Sequence, residues 1–345
     1  MTLIKYNFRA GIDREGTEYS SEGGWFDADK MRFRSGLPEK IGGWTKYSSN
    51  TFLGTCRSLF NYAAKSGTEY VGIGSHLKFY INDGTTYNDI TPLRATTSAG
   101  DVTFAASNGS STITVSDTSH GAVKDDYVTF SGAATLGGLV TADVLNQEYQ
   151  IDSIVNANSY KVIAKDTSGD EVTANSSDSG NGGSSVVGAY QINVGLDEYV
   201  SSTGWGAGAW GSGGFGSATS LDDTNQLRTW TQDNFGDDLL MNPRMGGVYY
   251  WDQSSGTSTR AVAVSTLSGA SDTPTNAFQV MTSDIDRHVI CFGVNPIGTT
   301  TLDPMHVRWS DQESAADWTP TATNTSGGVT LSGGSQIIGA LRTRQ

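Results

Sequence analysis

A short apolar run followed by an Asx/Gly turn and a tryptophan-centred polar phrase recurs along this chain. Its full form is Met305-His-Val-Arg-Trp-Ser-Asp-Gln-Glu-Ser-Ala-Ala-Asp-Trp-Thr-Pro320, and a partial form is Asn225-Gln-Leu-Arg-Thr-Trp-Thr-Gln-Asp-Asn-Phe-Gly-Asp-Asp-Leu-Leu240. Short strands, a tryptophan near a strand end and turn chemistry every ten or so residues are the mark of radially repeated antiparallel sheets. The pattern predicts an all-β chain: a β-propeller-like domain with an inserted small β-barrel. Forty-three glycines against seven prolines, with 36% hydrophobic and 10% aromatic residues, fit a turn-dense globular protein rather than a disordered one.

Three segments divide the chain. Residues 1–96 form an N-terminal segment and a first blade. Met31 and Phe33 alternate with Arg32 and Arg34 ahead of a turn at Ser35-Gly36, a period-2 strand signal. Strands follow at Arg57–Tyr62, Glu69–Gly74 and His76–Ile81, with turns at Lys65–Thr68 and Asn82–Gly84, and Tyr87–Pro92 makes the exit. Residues 97–187 lack tryptophan and are rich in Thr, Ser, Asn and Gly; strands at Ser111–Val115, Asp126–Phe130, Glu148–Ile151 and Ser159–Ile163 predict the small barrel. Its low-complexity end, Asn175–Ser185, reads as a flexible return.

Residues 188–345 supply further blades, with strands at Leu239–Met241, Gly247–Trp251, Ala261–Val264, Ala277–Met281, His288–Phe292 and His306–Trp309. Between them lies Gly204–Gly216, which carries Trp205, Trp210 and Phe215 at intervals of five. A linker has no use for three large aromatics, so this loop is expected to pack on its own propeller or on a neighbouring chain. The strands supply two or three blades where closure needs at least about four, so the chain is expected to be part of a longer protein.

The formal net charge of −14 excludes the mode of nucleic-acid binding that neutralises phosphates with clustered Lys and Arg. It is compatible with a channel through which DNA passes without sticking, because like charges repel strongly in a confined, partly dry space. Cys56 and Cys291, flanked by strand-like residues, are expected to be two buried thiols with no bridge. No stretch approaches the roughly 20 apolar residues of a spanning helix, and the start of the chain has no signal-peptide core, so folding in the cytoplasm is expected.

Catalytic signals are weak. Ser310–Trp318 resembles the aspartate box of sialidase propellers, Ser-x-Asp-x-Gly-x-x-Trp, but its glycine is missing and its Asp sits one place early. A glycosidase needs two carboxylates across the sugar; Asp233, Asp237, Asp238, Asp311, Glu313 and Asp317 are available, and Asx turns at blade edges account for all six. His76, His120, His288 and His306 are scattered without ligand spacing, so neither a metal nor a cofactor is expected. The basic run Lys30, Arg32, Arg34 and Lys40 is either a solvated strand face or a contact with the acidic surface of another subunit.

Several phrases resemble the tail nozzle, or tail-tube-terminal, proteins of short-tailed bacteriophages, also called phage stabilisation proteins. They are Gly11-Ile-Asp-Arg-Glu-Gly-Thr17, Lys30–Trp44, Asp89-Ile-Thr-Pro92, Thr229–Gly236, and Arg308–Asp311 with Asp317–Pro320. The resemblance implies a propeller with inserted domains, six copies of which ring the distal end of the tail below the adaptor and portal. Its implied role is structural, not enzymatic: to continue the DNA channel, retain packaged DNA and open on ejection. Implied partners are further copies of itself in a hexamer, the head-to-tail connector, a tail fibre or tailspike, and the phage DNA as cargo; the implied location is the virion tail, assembled in the host cytoplasm.

The insert, through Ser119–Phe130 and Leu145–Tyr149, is similar to a small barrel first named in ubiquitin-activating enzymes and frequent in phage structural proteins. Subunit contacts are expected at Lys30, Arg32, Arg34, Trp205, Trp210 and Phe215. Two other classes stay open: an adhesin that stacks host glycan on aromatics, and a polysaccharide-degrading propeller enzyme.

Overall fold

The computed structural model describes residues 9–43, 45–46, 48–197 and 227–343. Trp205, Trp210 and Phe215 lie outside the described residues. The chain divides into two compact units, Met1–Ser49 and Asn50–Gln345.

In the first unit, β1 (Met31–Arg34) pairs antiparallel with β2 (Leu37–Lys40). The two-residue turn between them holds Ser35 at φ 51° and Gly36 at φ 81°. Two left-handed residues in succession match the twist of a hairpin, and a glycine at the second position adopts this conformation without steric cost. Phe33 meets Trp25 with ring centroids 6.1 Å apart, so the apolar positions of the alternation do share a face.

The second unit is built from four sheets. β3 (Cys56–Ala63), β4 (Glu69–Ser75), β5 (Phe79–Asn82) and β6 (Tyr87–Asp89) form the first antiparallel four-stranded meander, in that order. The chain then enters the insert: β7 (Leu93–Thr96), β8 (Thr103–Ala106), β9 (Thr112–Ser116), β10 (Tyr127–Ser131), the single-turn helix α1 (Ala142–Leu145), β11 (Glu148–Asn156), β12 (Ser159–Ile163), β13 (Asp178–Asn181) and β14 (Val187–Gln191). The strand order is β13-β8-β9-β12-β11-β10-β14-β7. Because β13 and β14 follow one another along the chain yet pair at opposite ends of this order, the sheet curls on itself. Phe104, Ile113, Val115, Val128, Phe130, Ile151, Tyr160 and Tyr190 fill the enclosed core.

A second meander follows, β15 (Trp230–Phe235), β16 (Asp238–Pro243), β17 (Tyr249–Trp251) and β18 (Val262–Ala263), and then a third, β19 (Ala277–Thr282), β20 (Val289–Val294), β21 (Asp303–Trp309) and β22 (Gly327–Thr330). The first strands of the three meanders lie side by side, β15 touching β3 on one side and β19 on the other. The fold is therefore all-β and propeller-like, with three meanders and a small barrel inserted after the first.

Side-chain alternation explains the stacking. Leu239 and Met241 of β16 enter the core shared with the first meander, alongside Tyr62, Phe79, Ile81 and Trp251. Leu240, between them, enters the core shared with the third, alongside Val280, Val289, Cys291 and Trp318. A strand buried on both faces needs a continuous apolar run, which Leu239-Leu-Met241 supplies. Each such side chain, once buried, contributes roughly 1.5–3 kcal/mol. The first seam also needs glycine: a Cβ on Gly74 would sit 2.4 Å from the Trp230 ring.

Two expectations are corrected. Cys56 is exposed at the start of β3, where its alternating side chains leave the core; only Cys291 is buried. Asn175–Ser185 is not merely a flexible return, because β13 inside it pairs with β8. Its backbone hydrogen bonds, including Ala134 N–H to the Gly182 carbonyl, order a segment whose side chains could not.

Candidate functional site

The tryptophan phrase works as a structural lock. Trp318 is fully buried, and its indole N–H donates to the Ala315 carbonyl at 2.9 Å. Asp311 Oδ1 accepts from the Thr325 amide and hydroxyl at 2.8 and 2.7 Å. Asp317 accepts from the Ser271 hydroxyl at 2.7 Å and the Asn324 amide at 3.1 Å. These bonds lower the pKa of both carboxyls, from Thr325 in one case and Ser271 first in the other. Trp230, Trp251 and Trp309 likewise each donate the indole N–H to a backbone carbonyl, of Ser75, Thr259 and Thr325.

The other acidic candidates are divided among separate structural tasks. Asp237 accepts from the Lys65 amide. Asp238 accepts from the Gln253 amide and the Tyr250 hydroxyl. Glu313 faces Arg287 at 3.9 Å. Asp233 sits in strand β15, not in a turn: it accepts from the Thr282 amide of β19 at 2.8 Å and pairs with Arg342 at 3.2 Å. Burial raises its pKa. Thr231, two residues earlier, accepts from the Val280 amide at 3.1 Å. Side chains at i and i+2 of one strand thus satisfy the open edge of the next meander, a role invisible without the seam.

The histidines serve backbone and turns. His76 Nδ1 accepts from the Thr55 amide, and the His120 ring packs edge-on to Tyr160 while its Nδ1 accepts from the Ala122 amide. His288 contacts the Ser310 carbonyl and His306 the Thr330 hydroxyl. Among the described residues no group of three His, Cys, Asp or Glu is placed to hold a metal ion.

Of the expected subunit contacts, Lys30, Arg32 and Arg34 fall on the first unit's hairpin. Lys30 approaches Asp29 at 3.7 Å and Arg32 bonds Glu39 across the strands at 3.2 Å, both largely solvated. Exposed pairs of this kind contribute little to stability and leave the charges accessible.

The densest polar cluster, missed by sequence reading, is the joint between the insert and the meanders. Lys78, in the turn before β5, is 2% exposed. Its ammonium donates to Asp89 of β6 at 2.9 Å and to Glu148 of β11, and lies 4.4 Å from the centre of the Tyr127 ring of β10. Arg260, ahead of β18, reaches Asp89 and Glu148 at 3.3 Å each and donates to the Thr91 carbonyl at 3.0 Å. Gln191 of β14 also donates to Glu148. Two cations from the meanders therefore clamp one carboxylate of the first meander and one of the insert.

Burial pushes the pKa of Asp89 up, but Lys78 and Arg260 outweigh it and the net shift is downward. Beside this clamp Asp126, fully buried, accepts from the Val123 and Val194 amides at 3.0 Å each, and burial raises its pKa. The sequence signal was faint: four charged residues up to 182 positions apart carry no spacing motif.

No protein-family model matches the sequence, and no curated protein matches it. Among solved structures, the Phage phi92 endosialidase aligns over 87% of this chain at 12% identity with a TM-score of 0.23. The alignment takes in 41% of that protein, so the chain spans less than half its length.

Proposed function

We propose that this chain is a structural protein of a short phage tail, forming a ring at the distal end that continues the DNA channel, retains packaged DNA and opens on ejection. The observation that carries this reading is the ion clamp Lys78–Asp89–Glu148–Arg260, which fastens the insert to two meanders as one braced body. Only Lys78 of the four is buried, the others being about a quarter exposed, and a shared network of this kind serves to hold the insert and the meanders in one register. A channel wall under load needs such fixed geometry. The tail-nozzle phrases of the sequence support the same reading, and the acidic candidates are occupied in turns and seams rather than converging on a cleft.

The ring is a hexamer with adaptor, fibre or spike as neighbours, and Lys30, Arg32 and Arg34 contribute to contacts between copies. The test is charge reversal at Arg32 and Arg34 followed by sizing of the assembly. Loss of the ring with an unchanged fold by circular dichroism supports the contact; an unchanged oligomer removes it.

A further inference from the structure

A groove of about 510 Å³ opens beside the clamp, mostly on the insert. Tyr127 of β10 lines it with Leu53 and Ile163, and the exposed side chains of Asp125, Asp152 and Glu171 stand around it with Lys124 and Lys165. Tyr127 is only 6% exposed. The Lys78 ammonium covers its ring, but its hydroxyl makes no hydrogen bond among the described residues and is not sealed from solvent. A nearly buried hydroxyl left without a partner costs free energy that an incoming group can recover.

The surroundings of that hydroxyl select the incoming group. Burial, and after it the Glu148 and Asp125 carboxylates, push its pKa up to about 12, so it stays protonated beside negative charge. Glu148 is occupied by Lys78, Arg260 and Gln191. The Asp125 carboxylate has neither ion pair nor hydrogen bond among the described residues. A cation carrying several donors can serve the hydroxyl and this carboxylate together, which is the chemistry of a guanidinium.

The β1–β2 hairpin carries one that is uncommitted. Arg32 is paired with Glu39, but the exposed Arg34 side chain has no partner among the described residues. Directly across the strands from Arg34 lies Leu37, 71% exposed. The groove matches this pair, with Leu53 half exposed for the leucine and an insert in which eleven acidic residues over 97–187 face three lysines for the arginine. Resting on the reading that the basic run joins copies of the chain, we infer that the groove receives the β1–β2 hairpin of a second copy. The Arg34 guanidinium enters between Tyr127 Oη and Asp125, and Leu37 packs on Leu53 and Ile163.

The test replaces Leu37 of the full chain by photo-reactive p-benzoylphenylalanine and maps the irradiated products by mass spectrometry. A covalent dimer linked through Leu53, Tyr127 or Ile163 is expected. At concentrations below saturation, Tyr127→Phe and Asp125→Asn should each lower its yield about tenfold; asparagine suits the left-handed backbone that Asp125 holds at φ 71°. A ring whose links map elsewhere would overturn this contact and leave the ring standing, whereas a groove-linked dimer without a ring would support the contact and remove the ring. Links confined to one chain, no link at all, or a yield unmoved by both groove variants would also overturn the inference.

Discussion

Lys78 shows how one side chain can hold two parts of a protein in register. It is nearly inaccessible, and both of its carboxylate partners are less than one-third exposed. Replacing it by Met leaves Asp89 and Glu148 facing each other with Arg260 alone between them. Lys78→Met should therefore cost about 3 kcal/mol, the low end for a broken buried pair, read as a lower urea midpoint. At the first seam, Gly74→Ala forces a methyl group against Trp230 and should cost about 1–3 kcal/mol as overpacking, read as a lower Tm.

The pH response sets two carboxyls with raised pKa, Asp126 and Asp233, against five with lowered pKa, Asp83, Asp89, Asp252, Asp311 and Asp317, of which Asp89 is the one in the clamp. Asp126 and Asp233 are raised by burial, so their contribution is full below the unfolded pKa and is lost as pH rises through the folded one. Asp89 is lowered, so its contribution is present above the unfolded pKa and is lost only as pH falls through its folded value, below the usual 3.8. As pH falls through the raised values of Asp126 and Asp233 they should add stability, and the loss should come only when pH passes below the ordinary carboxylate value and the lowered carboxyls protonate. A urea midpoint that falls steadily from neutral pH downward would contradict this balance.

Among the elements, many strands were legible: β3, β4, β10, β12, β16, β19 and β20 lie where period, apolar run and turn chemistry put them, while β5 begins three residues after His76 because Ser75–Lys78 is a turn. β22 and β13 were not. Gly327-Gly-Val-Thr330 and Asp178-Ser-Gly-Asn181 have neither apolar period nor β-rich composition. They are strands because a partner edge and a close neighbour make them so: a Cβ on Gly327 would fall 2.6 Å from the Trp309 ring. Local propensity cannot report an edge contributed from elsewhere in the chain.

The candidate site was illegible for the same reason, since the clamp exists only when three sheets meet. Segment 337–343 tells a similar story at the third meander. Its Ala340 exchanges two hydrogen bonds with the Gln279 side chain, and Arg342 ties it to Asp233, Asp284 and the Thr282 carbonyl. Arg342→Ala should leave the sheet intact but speed hydrogen exchange at the Ala340 amide. Unchanged protection there would mean that the Gln279 pair alone holds the segment.

For the molecule as a whole, charge is unevenly shared. Residues 97–187 hold eleven of the 36 acidic residues against three lysines and no arginine. The insert is thus an anionic module held at its base by cations of the meanders. Such a body should not retard duplex DNA at physiological salt, since phosphate binding needs clustered Lys and Arg that this surface lacks. In a gel-shift titration, a complex that persists at that salt would argue for a binding rather than a conducting role.

The central claim is tested most directly by the assembly state of the purified chain, using mass photometry with negative-stain imaging. The account predicts a six-fold ring with an open central channel. A chain that stays monomeric across the concentration range would contradict it.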